Sequence, residues 1–140
     1  MRSIILIVAV AGILFSCNSD DDARDRNTNL LNVNFSITLS NIQSLDLQIP
    51  GNAVFAVNGG LRGVFVVNTG SGILAWEAAD PNSPLSDCSR MDLDGIEVTS
   101  NCVEGRRYNL FTGQAVEEVL EFPLLSYRVS QNGDLIVVSN

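Results

Sequence analysis

From Leu31 to the C-terminus the apolar residues recur at every second position, in short runs cut by glycine- or proline-bearing turns. That is the strand period, because successive side chains of an extended backbone leave opposite faces. Val33, Phe35, Ile37 and Leu39 alternate with Asn34, Ser36 and Thr38, and Leu45, Leu47 and Ile49 alternate again before Pro50-Gly51. Ala53 to Val57 is an apolar strand stopped by Asn58-Gly59-Gly60, and Gly63 to Val67 is turned back into Ile73–Ala78 by Asn68-Thr69-Gly70-Ser71-Gly72. Met91–Leu93 and Ile96–Val98 flank Asp94-Gly95 as a hairpin. Tyr108–Phe111 stops at Thr112-Gly113, and Leu125–Ser130 folds back on Leu135–Ser139 around Asn132-Gly133. Asp80–Arg90 and Asn101–Arg106 are loops, and Glu117 to Glu121 is expected to make a helical turn ended by Pro123. Short strands without a long helical pattern predict an all-β barrel or sandwich.

The N-terminal stretch follows other rules. Met1-Arg2-Ser3 is a positive start, and Ile4 to Phe15 is an unbroken apolar run that ends at Ser16-Cys17. The run suits a signal-peptide core and falls short of the ~20 residues that span a bilayer as a helix. A small residue directly before a cysteine resembles the lipobox of bacterial lipoproteins. That resemblance implies cleavage before Cys17 and lipid attached to its thiol, with several acyl chains making a durable anchor. The other reading is an ordinary secretory signal with a chance thiol. Asn18 to Asn29 carries Asp20-Asp21-Asp22 and Asp25 and reads as a solvated acidic tether. The expected organisation is a signal peptide over 1–16, lipidated Cys17 and tether over 17–30, and one β domain over 31–140. An acidic cluster after the lipidated cysteine also resembles the export signal of surface lipoproteins in Bacteroidetes; a plain spacer is the alternative.

Composition excludes several chemistries. The net charge is −8, with 8 basic against 16 acidic residues. The basic residues are all arginine and scattered, so no footprint for a phosphate backbone exists and nucleic acid is not an expected partner. Binding to an anionic lipid surface by charge alone is disfavoured too, so attachment to a membrane has to come from lipid. The histidine count is 0. That removes the Ser-His-Asp and Cys-His nucleophile arrangements, His-ligated zinc and the usual proton shuttle near neutral pH.

The segment from Gly63 to Asn140 resembles a Rieske domain, with its pieces in family order. Val64–Val67 and Ile73–Ala78 look like the strands before the first cluster loop. Asp80-Pro81-Asn82 stands where the family has Cys-x-His, and Asn101-Cys102-Val103-Glu104-Gly105 stands where it has Cys-x-x-His-Gly. Tyr108–Gln114 looks like the strand and turn after the second loop. Pro123-Leu124, Tyr127-Arg128-Val129, Gly133 and Ile136-Val137-Val138 follow the closing hairpin. Lipobox, tether and domain together look like a Rieske-like lipoprotein family of flavobacteria. The resemblance implies a Rieske-like antiparallel β barrel or sandwich with a small loop-rich subdomain. It also implies a [2Fe–2S] cluster, which needs two thiolates on one iron and two imidazoles on the other. The matching positions are Asp80, Asn82, Asn101 and Glu104, none of them a cysteine or a histidine. The expectation is a retained scaffold without cofactor. The family's loops lie face to face, and some members join them by a disulfide, so Cys88 and Cys102, one in each loop, are expected to pair. Closing a loop of about 15 residues stabilises by on the order of 3 kcal/mol in the chain-entropy model. Two buried free thiols are the alternative.

Other candidates weigh less. Asp80, Asp87 and Glu104 could gather around a hard cation, although no ordered ligand loop is visible and a solvated loop pair is the simpler reading. Gly70-Ser71-Gly72 lacks the helix and lysine of a phosphate loop and reads as a β-turn. Trp76 shares a strand face with Leu74 and Ala78 and reads as core. Arg106 and Arg107 could take an anion, but exposed loop arginines are common; Glu117, Glu118 and Glu121 could include an acid–base pair, but read as a solvated face. The function expected is a non-enzymatic binding or structural module in the bacterial cell envelope, lipid-anchored, at the outer membrane on its periplasmic or surface face. A protein partner would meet it at the loop tip. The alternative is an electron-transfer protein with a cluster on non-standard ligands.

Overall fold

The structure, a computed structural model, describes residues 27, 30 and 33–140. The expected signal peptide, Cys17 and nearly all of the expected tether lie outside the described residues. Two residues of the N-terminal stretch are described, and both are buried: Asn27 donates its side-chain amide to the Pro81 carbonyl at 3.0 Å, and Leu30 is 4% exposed. At these two positions the chain is packed onto the domain and not solvated.

The domain is all-β apart from one short helix. Its elements are β1 (Ser36–Thr38), α1 (Asn41–Asp46), β2 (Ala53–Ala56), β3 (Val64–Asn68), β4 (Ile73–Glu77), β5 (Met91–Asp94), β6 (Glu97–Ser100), β7 (Arg107–Asn109), β8 (Ser126–Asn132) and β9 (Leu135–Ser139). A six-stranded sheet runs β1-β9-β8-β4-β3-β2 and a three-stranded sheet runs β5-β6-β7, with every neighbouring pair antiparallel. The small sheet and its loops are inserted between β4 and β8 of the large one.

The sheets are held by two cores, and β3 belongs to both. Val64 and Val66 face a core with Leu39, Leu47, Tyr127, Ile136 and Val138. Phe65 and Val67 face the other, with Met91, Val98, Tyr108 and Leu110 from the small sheet. Alternate side chains on a pleated strand leave opposite faces, so only a strand apolar on both can sit between two cores. Each such side chain contributes roughly 1.5–3 kcal/mol relative to leaving it in water.

Two elements depart from the pattern in the sequence. Leu45, Leu47 and Ile49 are not on a strand. Asn41–Asp46 is a helix, because Ser40 and Gln43 form a capping box: the Gln43 N–H reaches Ser40 Oγ at 3.3 Å, and Gln43 Oε1 accepts from the Ser40 N–H at 3.1 Å. The helical turn buries Ser44 and, just past its end, Leu47, and leaves Ile42, Leu45 and Ile49 exposed. Glu117–Glu121 makes bends and no helical turn; Val116 instead donates its N–H to the Arg107 carbonyl at 2.9 Å.

Candidate functional site

The β4–β5 connection and the β6–β7 connection form the two loops that the sequence singles out. Each is closed at its neck by backbone bonds. Asp80 N–H donates to the Ser89 carbonyl at 2.7 Å and Met91 N–H to the Ala78 carbonyl at 2.8 Å; Ser100 N–H donates to the Arg106 carbonyl at 2.8 Å. The loops meet side by side. Cys88 and Cys102 are joined by a disulfide with their Cα atoms 4.7 Å apart. Asn101 donates its side-chain amide to the Arg90 carbonyl at 2.9 Å, and Arg106 Nη1 reaches Ser83 Oγ at 2.8 Å.

Beneath the disulfide lies a polar plate. Asp80 is fully buried. Its Oδ1 accepts from the Tyr108 hydroxyl at 2.5 Å and from the Asn82 N–H at 3.0 Å, and its Oδ2 accepts from Ser83 Oγ at 2.8 Å and Arg106 Nη1 at 3.3 Å. Burial alone would raise this carboxyl. The hydrogen bonds from Tyr108, Asn82, Ser83 and Ser100 overcome burial and hold it below its ordinary value. Tyr108 is pushed well above its ordinary range by its own burial, and next by the bond to Asp80. The Asn82 amide donates to the Tyr108 hydroxyl at 3.0 Å and to the Phe122 carbonyl at 2.7 Å, while its oxygen accepts from the Phe122 N–H at 3.1 Å. The segment before β8 is thereby stitched to the first loop.

The four positions matched to cluster ligands are thus distributed unevenly. Asp80 and Asn82 sit inside the plate, whereas Asn101 and Glu104 are exposed on the second loop, Glu104 facing Arg106 at 3.9 Å. These residues do not fit a Rieske centre. The donors are carboxylates and amides, the first-loop pair is bonded to its own chain, Cys88 and Cys102 are bonded to each other, and the chain has 0 histidines. Asp80, Asp87 and Glu104 do not form a cation site among the described residues. Asp87 turns outward to Arg62 at 3.8 Å, and Asp80 faces Tyr108.

The remaining candidates resolve as structure. Gly70-Ser71-Gly72 lies in the β3–β4 turn, where Thr69 N–H donates to the Gly72 carbonyl at 2.9 Å. Trp76 packs against the second core and donates its indole N–H to the Leu110 carbonyl at 2.8 Å. Gly113 lies against that ring; a Cβ on it would come within 2.7 Å of the indole. Arg107 pairs with Glu117 at 2.6 Å and Glu97 at 3.3 Å, which raises its pKa, the Glu117 hydrogen bond most.

Sequence reasoning missed Tyr108 and Ser83 as members of the plate. A signal for Tyr108 was present: a tyrosine on the inward face of a strand needs a partner for its hydroxyl. Which partner depends on contacts 28 positions apart for Asp80, which local pattern does not encode.

No family model and no curated protein matches the chain. It is similar to several solved structures. One is a complex of reduced oxygenase and oxidized ferredoxin in carbazole 1,9a-dioxygenase, at 23% identity over 69% of this chain and 87% of that one, with a TM-score of 0.47. Another is a ferredoxin of Sphingomonas yanoikuyae B1, at 14% identity over 70% and 93%, TM-score 0.47. A third is a Mycobacterium tuberculosis chain described as a small subunit of NADH-dependent nitrite reductase, at 19% identity over 78% and 97%, TM-score 0.46.

Proposed function

We propose that this chain is a non-enzymatic, cluster-free Rieske-like module of the bacterial cell envelope, held to the membrane by lipid on Cys17, which binds a protein partner through the tip made by its two loops. One observation carries the reading. Where a cluster would be held, Asp80 and Asn82 are spent on the chain's own hydrogen bonds, and the two loops are joined by sulfur. A buried donor set already satisfied internally would have to break those bonds to take up metal. What remains for function is surface. Leu85, in the loop of Cys88, and Val103, next to Cys102 in the other, stand out from the two loops at 40% and 103% exposure.

A second reading, electron transfer through a cluster on non-standard ligands, accords with the ferredoxins among the similar solved structures. Metal and sulfide analysis with visible spectroscopy separates the two. The module reading expects protein without iron or colour when it is produced alongside a Rieske control that loads fully. Two irons and two sulfides per chain would overturn it.

A further inference from the structure

We propose that the Cys88–Cys102 disulfide is a thiol–disulfide exchange site at which protein dithiols reversibly unlatch the tip. Three observations carry this. Cys88 is exposed while Cys102 is half-buried, so the two cysteines differ in access. Both line a cleft of about 260 Å³ with Ser86, Val103, Glu104 and Arg106, which leaves room at the bond for an incoming group. Finally, the described bonds divide the loops into two tiers. The inner tier, Asp80, Ser83, Arg106 and Tyr108, is cross-bonded independently of the disulfide. The outer tier, Pro84–Cys88 and Cys102–Glu104, is joined across the loops by the sulfur bridge; its other bonds stay within one loop or run to Arg62.

The chemistry follows from the arrangement. A thiolate of the dithiol attacks Sγ of Cys88, the more exposed residue. The S–S bond breaks, and its electron pair leaves on Cys102 Sγ, which takes up a proton. The second thiol of the dithiol then attacks the sulfur it shares with Cys88. Cys88 departs as thiolate beside the Ser86 hydroxyl, which lies 3.3 Å from its Sγ and can donate to it. Both cysteines end as thiols and the dithiol as its own disulfide. Leu85 and Val103 ride on the freed segments, so the exchange rearranges the surface that, on the function proposed above, meets a partner.

The test uses the full chain in native buffer with millimolar dithiothreitol, thiol labelling mapped by mass spectrometry, and hydrogen exchange. The expected result is labelling of Cys88 and Cys102 within minutes. Deuterium uptake should rise over residues 84–88 and 102–104, while β3 and β4 stay protected. With oxidised glutathione, Cys88 in C102S should form the mixed disulfide at least tenfold faster than Cys102 in C88S. Reduction that requires denaturant, loss of protection across β3 and β4, or equal rates at the two sulfurs would overturn the proposal. If either variant fails to fold, the unaltered chain decides through the first two readouts.

Discussion

The chain's two tyrosines sit in different cores, and each hydroxyl donates to a buried carboxylate at 2.5 Å: Tyr127 to Glu77 and Tyr108 to Asp80. What surrounds the carboxylates differs. Glu77 accepts from three backbone N–H groups, those of Leu61 at 2.7 Å and of Arg62 and Ala79 at 2.9 Å. Gly60 makes the fit possible, since a Cβ there would lie 2.5 Å from Glu77 Oε2. Asp80 accepts from one backbone N–H, two hydroxyls and a guanidinium. A backbone donor cannot turn away or become an acceptor, but a hydroxyl can do both. Glu77 is therefore fixed by the fold itself, while Asp80 belongs to a site whose side chains can be exchanged one at a time. That difference makes the Asp80 site the more easily altered of the two, residue by residue.

The comparison is broken most severely by E77Q. Whichever way the amide is placed, its NH2 opposes at least one fixed backbone N–H, so a loss of about 3 kcal/mol is expected in chemical denaturation. D80N should lose less, about 1–2 kcal/mol, because its NH2 can take the Oδ2 place, where the Ser83 hydroxyl can reverse and the Arg106 side chain can turn away. A D80N loss equal to that of E77Q would show that the two carboxylates are held alike.

The Asp80 difference sharpens with pH. Its folded-state carboxyl is held below its unfolded value, so the folded state binds that proton less readily. The resulting stability is present above the unfolded pKa of roughly 3.9 and is lost as pH falls through the lower folded value. The native chain should therefore lose stability between about pH 5 and the folded value more steeply than D80N does. Parallel acid limbs in urea titrations of the two proteins would contradict this. The smallest effect is expected from R107A. Arg107 and Glu117 are 41% and 66% exposed, and solvent and salt screen such a pair. Its midpoint should match the native one in 0.5 M salt.

Most strands were legible because each is a short apolar alternation punctuated by turn residues. The β5–β6 and β8–β9 hairpins pair as Asp94 with Glu97 and Asn132 with Leu135, around Gly95 and Gly133. The helix was also written locally, as Ser40-x-x-Gln43, but period-two spacing in Leu45, Leu47 and Ile49 masked it. The paired loops could be located in the sequence through their resemblance to the Rieske pattern; the plate beneath them could not.

Amino-acid content alone fixed what this protein lacks: with neither histidine nor lysine anywhere, whole classes of site are chemically closed to it. Alternation alone fixed that it would build sheets, since strand faces are set by neighbours along the chain. Only the tertiary structure decided that Asp80, Asn82, Tyr108 and Phe122 close on one another and that β3 lies between two cores. The contacts of that plate join residues up to 40 positions apart, and Val64 and Val138 in one core are further apart still. They exist because packing brings the faces together, and short-range sequence order carries no record of which distant groups will meet.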